Sequence, residues 1–110
     1  LSDLRIHTEY RGEYDDEHPI IQWFWNTISL FSPVQYKKLL HFVTGSDRVP
    51  VGGLQHLKFI IQSNRQPSTS IPVAHTCFNT LDIPLTYENE EMMKNKLLVA
   101  LEHFSGFGLL

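Results

Sequence analysis

From Pro19 onward, apolar side chains return at helical intervals: Ile20, Phe24, Ile28 and Phe31, with Ile21 and Trp25 widening the stripe. The spacing predicts a helix over about residues 19 to 31, opened by Pro19, whose missing N–H costs nothing in a first turn. Trp23 falls off the stripe and is expected to be partly buried. Ser32-Pro33-Val34-Gln35 starts a second helix, with Ser32 as cap, Pro33 in the first turn and Gln35 placed as in a capping box. Leu39, Leu40 and Val43 form its buried stripe, and Gly45 ends it because glycine tolerates positive φ. Leu57 to Gln62 is a short apolar run with β-branched residues, hence a strand, and Ser63 to Ser70 is a polar loop. Ile71 to Ala74 and Phe78 to Ile83 read as extended segments, the second ended by Pro84.

Asn89 is placed to cap a third helix over about residues 90 to 104, with Met93, Leu97, Leu98, Leu101 and Phe104 as its core stripe. Met92 and Met93 read as packing rather than a recognition surface. Gly106 reads as the stop, followed by a flexible apolar tail. The order helix, helix, strand, strands, helix predicts an α/β fold: a small mixed sheet packed with helices in a single compact lobe. The first 17 residues are polar, acidic at Glu13, Asp15, Asp16 and Glu17, and read as an extended arm or hinge rather than core. The loop Gly45 to Gly53 is rich in turn residues but has no Gly-Lys-Ser/Thr step opening a helix, so a structured turn outweighs a phosphate cradle.

At 110 residues and 42% apolar content the chain has material for one core and not two. Its net charge of −3, with Lys37-Lys38 as the one basic pair, argues against nucleic-acid binding. No apolar run approaches the roughly 18 residues of a membrane-spanning helix. The start Leu1-Ser2-Asp3-Leu4-Arg5 has no signal-peptide character, and without an initiator Met the chain is expected to be a piece of a longer one. A single cysteine makes no internal disulfide, which fits a reducing compartment. The six histidines show no i, i+4 pair and a lone cysteine cannot supply the thiolate set of a structural zinc site, so no metal is expected, and no cofactor is expected either.

That cysteine, Cys77, lies in Pro72-Val73-Ala74-His75-Thr76-Cys77-Phe78-Asn79. If the segment is extended, His75, Cys77 and Asn79 share one face and Thr76 takes the other. His75 is then near enough to lower the thiol pKa or to hydrogen-bond a thioester oxygen, and Asn79 to orient an amide. A free thiol titrates near pH 8.5, so a modest depression is enough for thioester exchange. The same apolar neighbourhood also suits an inert core cysteine. Asp82 is a candidate acid to orient His75, though nothing in the sequence places the two together.

Several motifs in order carry a resemblance. The arm His7-Thr8-Glu9-Tyr10-Arg11-Gly12-Glu13-Tyr14, the helix start His18-Pro19-Ile20-Ile21-Gln22-Trp23-Phe24-Trp25, the loop Phe42 to Gly53, the cysteine segment from Pro72 to Asn79 and the tail Gly106-Phe107-Gly108-Leu109-Leu110 resemble the C-terminal lobe of a HECT-type ubiquitin ligase over nearly the whole chain. Three departures stand out: Ile71 where leucine is common, Glu13 where relatives often have a second glycine, and one extra residue at Leu85-Thr86 before Tyr87. The second is expected to stiffen the arm and the third to alter the local loop.

The resemblance implies that Cys77 accepts ubiquitin from a conjugating enzyme as a thioester and passes it to a substrate lysine. It implies that His75, Thr76, Phe78 and Asn79 shape the thiol site and hold the ubiquitin tail, and that Phe107 serves the lysine-transfer step. The implied layout is an arm over 1–17, the catalytic lobe over 18–104 and a tail over 105–110. Leu110 is expected to be a native C-terminus. The implied partners are ubiquitin, a conjugating enzyme docking mainly on a preceding lobe, and a protein substrate, in the cytoplasm or nucleus. Without that lobe the chain is expected to fold but to ligate poorly. Two rivals stay open: a non-catalytic protein-binding module with Cys77 in its core, and a thiol hydrolase built on Cys77 and His75.

Overall fold

The computed structural model describes residues 2–45 and 58–108. Four helices surround a four-stranded mixed sheet, the α/β arrangement expected. In chain order they are α1 (Ser2–Ile6), β1 (Glu9–Arg11), α2 (Pro19–Ser29), α3 (Pro33–Thr44), β2 (Ile60–Asn64), β3 (Val73–His75), β4 (Thr80–Pro84) and α4 (Glu90–Gly108), with a 3-10 turn at Thr76–Phe78 between β3 and β4. The sheet order is β1-β2-β4-β3; β1, β2 and β4 run parallel and β3 runs antiparallel to β4.

The helix signals in the sequence act where they stand. His18 precedes Pro19 and its Nδ1 accepts from the Ile20 N–H at 3.1 Å. Ser32 and Gln35 form a reciprocal capping box, and Gly45 closes α3 in the left-handed region at φ 74°. Asn89 Oδ1 accepts from the Met92 N–H at 2.7 Å to start α4. Ile20, Ile21, Phe24, Trp25 and Ile28 of α2, Leu39 and Val43 of α3, and Met93, Leu97 and Leu101 of α4 are buried with Phe59, Ile61, Leu81 and Ile83 of the sheet layer. Trp23 and Met92 pack half-buried against that core. Phe24, Trp25 and Phe59 form its aromatic centre, with Phe24 and Trp25 edge to face at 4.9 Å.

Two expectations about the ends are corrected. The first 17 residues are not an arm outside the core: β1 pairs with β2, and Leu4 and Tyr14 are buried. Glu9-Tyr10-Arg11 is a short edge strand whose charges face solvent, and its pairing with residues about 50 positions on is invisible to local patterning. Gly106 does not stop α4, which runs to Gly108; glycine within a helix costs only about 1 kcal/mol against alanine and does not force an end.

The departures at Glu13 and Leu85-Thr86 find local partners. Gly12 takes φ 72°, and a Cβ there would lie 2.2 Å from Ser63 Oγ. Ser63 Oγ accepts from the Glu13 N–H, and the Glu13 carboxylate pairs with Arg65. The longer loop is tied down by the Leu85 N–H on the Asn64 carbonyl and by Thr86 Oγ1 on the Gln66 carbonyl.

Tyr14 donates its hydroxyl to the Ile83 carbonyl and Tyr87 to the Ser70 carbonyl, both at 2.6 Å. Burial pushes both phenols well above their ordinary range, and for Tyr14 the charges of Tyr87 and Glu13 push the same way. Tyr10 is also raised, mainly by burial, against the lowering effect of the Trp25 Nε1–H donated to its hydroxyl.

Candidate active site

The segment around Cys77 is a hairpin, not a continuous strand. Its register pairs Val73 with Asp82, Ala74 with Leu81 and His75 with Thr80. Residues 76–79 must therefore reverse the chain. They do so through the 3-10 turn and Asn79, which adopts φ 49°, ψ 44° and donates its N–H to the Thr76 carbonyl. The expectation that alternation puts His75, Cys77 and Asn79 on one face of a strand is thus replaced: Asn79 closes the turn with its backbone. Asparagine tolerates the left-handed region better than most residues, and that was the signal in the sequence.

Two anchors fix this turn. The Asn79 carbonyl accepts from the Ile60 N–H at 3.0 Å, which ties the end of the turn to β2. On the other side, Gly45 at the end of α3 meets Thr76; a Cβ on Gly45 would lie 3.3 Å from Thr76 Cβ. Pro72 and Pro84, at the outer ends of the hairpin, are buried.

The tip faces solvent. Cys77 is exposed, which removes the core-cysteine reading. Phe78 is 72% exposed, unusual for so large an apolar side chain, and His75 and Thr76 are exposed beside it. Asn79 is half-buried.

His75 Nε2 lies 2.8 Å from Asp82 Oδ2. Register explains the contact. Val73 and His75 share a sheet face with Asp82 and Thr80, so Asp82 is the diagonal cross-strand neighbour of His75, within side-chain reach. Asp82 is well covered, with 14% of its side chain exposed against 48% for His75. Its second oxygen, Oδ1, is buried without a hydrogen-bond partner. The acid that the sequence could not place is therefore beside the imidazole.

Of the other sequence-derived site residues, the side chain of Phe107 and all of Leu110 lie outside the described residues, as does the whole loop from Ser46 to Gly53. Among the described residues no group of three His, Cys, Asp or Glu side chains could hold a metal ion, and no helix is long and apolar enough to cross a membrane.

Fold and turn define a class: a small α/β lobe that presents one cysteine thiol on a solvent-facing hairpin turn. The family model for the HECT-domain (ubiquitin-transferase) matches residues 1–110, and the chain belongs to this family. It is 44% identical over 108 residues to the probable E3 ubiquitin-protein ligase HUL4 of Eremothecium gossypii, covering 98% of this chain and 13% of that protein. It is equally similar, at 44% over 108 residues, to the probable E3 ubiquitin-protein ligase HERC4 of Homo sapiens, covering 98% of this chain and 10% of the relative. The human E3 ubiquitin-protein ligase HECW2 is 43% identical over 116 residues, 99% of this chain and 7% of the relative. The chain thus spans a small part of the length of each.

Proposed function

We propose that this lobe carries ubiquitin as a thioester on Cys77 and passes it to a lysine of a protein substrate. The observation that carries this reading is the exposed thiol of Cys77 at the tip of a turn anchored to β2 and α3. A nucleophile must reach a bulky protein electrophile, and a convex, solvent-facing turn offers that access without a cleft. The exposed Phe78 and Thr76 offer an apolar and a hydroxyl contact for the extended tail of the donor. A hydrolase of peptides would need a groove around the same thiol. Ubiquitin, a conjugating enzyme and a protein substrate are the partners this reading requires, in the cytoplasm or nucleus. No metal and no cofactor take part in the chemistry, because a thiolate, a thioester and an amine suffice.

The test is reaction of the chain with ubiquitin bearing an electrophilic C-terminus, beside Cys77→Ala. The expected result is a covalent adduct of wild type that Cys77→Ala does not form. No adduct from a folded wild-type chain, or one that persists in Cys77→Ala, would sink the reading.

A further inference from the structure

We infer that Asp82 is a positioning residue that holds His75 with Nδ1 open beside Cys77, so that His75 removes a proton from the amine attacking a thioester on that cysteine. The inference rests on the transfer reading above and names the group that deprotonates the acceptor.

Four observations carry it. Asp82 Oδ2 takes the Nε2 side of the ring at 2.8 Å, and among the described residues Nδ1 has no partner. A neutral imidazole that donates from Nε2 keeps its lone pair on Nδ1. His75 is two residues from Cys77, so their Cα atoms are no more than about 7 Å apart, and His75 is the last residue of β3 before the thiol turn. The Asp82 carboxylate is covered while its Oδ1 lacks a partner. A carboxylate placed so costs stability, and an apolar residue on that face would not. Asp82 sits on β4, an interior strand paired on both sides, which holds the carboxylate rigidly, while His75 sits half-exposed on the edge strand β3.

The step balances as follows. The lysine ammonium gives one proton to His75 Nδ1, and the freed amine attacks the thioester carbonyl. A C–N bond forms, the tetrahedral intermediate collapses, and the C–S bond breaks. The second nitrogen proton passes to the departing Cys77 sulfur, and His75 releases its proton to water.

The test loads Cys77 directly by thiol exchange with a ubiquitin C-terminal thioester of a small thiol, then discharges it to free lysine or to hydroxylamine. Hydroxylamine is already neutral at pH 7 and needs no base. Asp82→Asn offers Nε2 an NH₂ group and stabilises the tautomer with the proton on Nδ1, as expected of an orienting carboxylate lost beside a histidine. It should slow lysine discharge about tenfold, a fraction of the 10²–10⁴ that a general base contributes, and leave hydroxylamine discharge unchanged. Asp82→Glu should recover most of the lysine rate. Asp82→Asn added to His75→Gln should slow lysine discharge no further, because Asp82 acts through His75. Equal slowing of both nucleophiles, a wild-type lysine rate in Asp82→Asn, or failure of Asp82→Asn to load where wild type loads would overturn the inference. A wild-type chain that does not load fails earlier, at the transfer reading itself, and takes the inference with it.

Discussion

Tyr14→Phe isolates one of the bonds that join the opening segment to the central sheet. The Tyr14 hydroxyl donates to the Ile83 carbonyl at 2.6 Å across 69 positions of sequence, and the residue is 5% exposed. Phenylalanine keeps the ring volume and leaves no cavity, so the loss at neutral pH is that of one buried hydrogen bond, about 1–2 kcal/mol. The pH dependence gives a second, independent reading. The folded-state phenol is raised above its ordinary value near 10, so the folded state holds this proton more tightly than the unfolded chain. Its contribution is complete below about pH 10 and is lost as pH rises above it, by about 1.4 kcal/mol at pH 11 for one such group. Tyr14→Phe has no phenol to ionise at this position and escapes that loss. Wild type should therefore be the more stable at pH 7 to 9, and the difference should close between about pH 10.5 and 11.5. Urea unfolding followed by the fluorescence of Trp23 and Trp25 measures both curves. Other titrating groups cancel in the difference. Equal stability at pH 8, or a difference that stays constant from pH 9 to 11, would refute the reasoning.

Two further predictions concern the turn and the tail. Gly45→Ala should cost about 1–2 kcal/mol for the left-handed backbone, and its Cβ, 3.3 Å from Thr76 Cβ, should also shift the thiol turn and slow adduct formation with electrophilic ubiquitin. An unchanged melting temperature and adduct rate would count against that anchor. Phe107→Ala should spare thioester loading at Cys77 and slow transfer to lysine in a matched discharge assay; a loading defect as large as the transfer defect would remove the role assigned to the tail.

What could be read along the chain, and what could not, divides by range. The Ser32–Gln35 capping box, the Gly45 stop and the Asn89 cap are satisfied within a turn of their own position, so residue type alone decides them. The stripes of α2 and α4 are as legible, because a helix buries one face whatever it packs on. β1 was missed because Glu9-Tyr10-Arg11 has no apolar alternation; its strand character comes from β2, which is remote in sequence. The reversal at Cys77, between two segments that read as extended, was hidden for a different reason. Thr, Cys and Phe suit a strand, and propensity there lost to the need for the chain to turn back so that β3 can pair with β4.

That turn decides the chemistry. Were residues 73–83 one strand, as their composition suggests, His75 and Asp82 would lie seven positions apart, on opposite faces and more than about 20 Å from each other. Folding the segment at 76–79 brings them to 2.8 Å and pushes Cys77 outward at the bend. The event that exposes the thiol is thus the same event that assembles the imidazole–carboxylate pair, whose histidine stands two residues before the cysteine. Asn79 is the hinge of that geometry, since its φ of 49° suits asparagine and opposes a β-branched residue. A residue first read for its amide is needed for its backbone. The seven positions between His75 and Asp82, which made the pair unreadable, are what allow one hairpin to build the site.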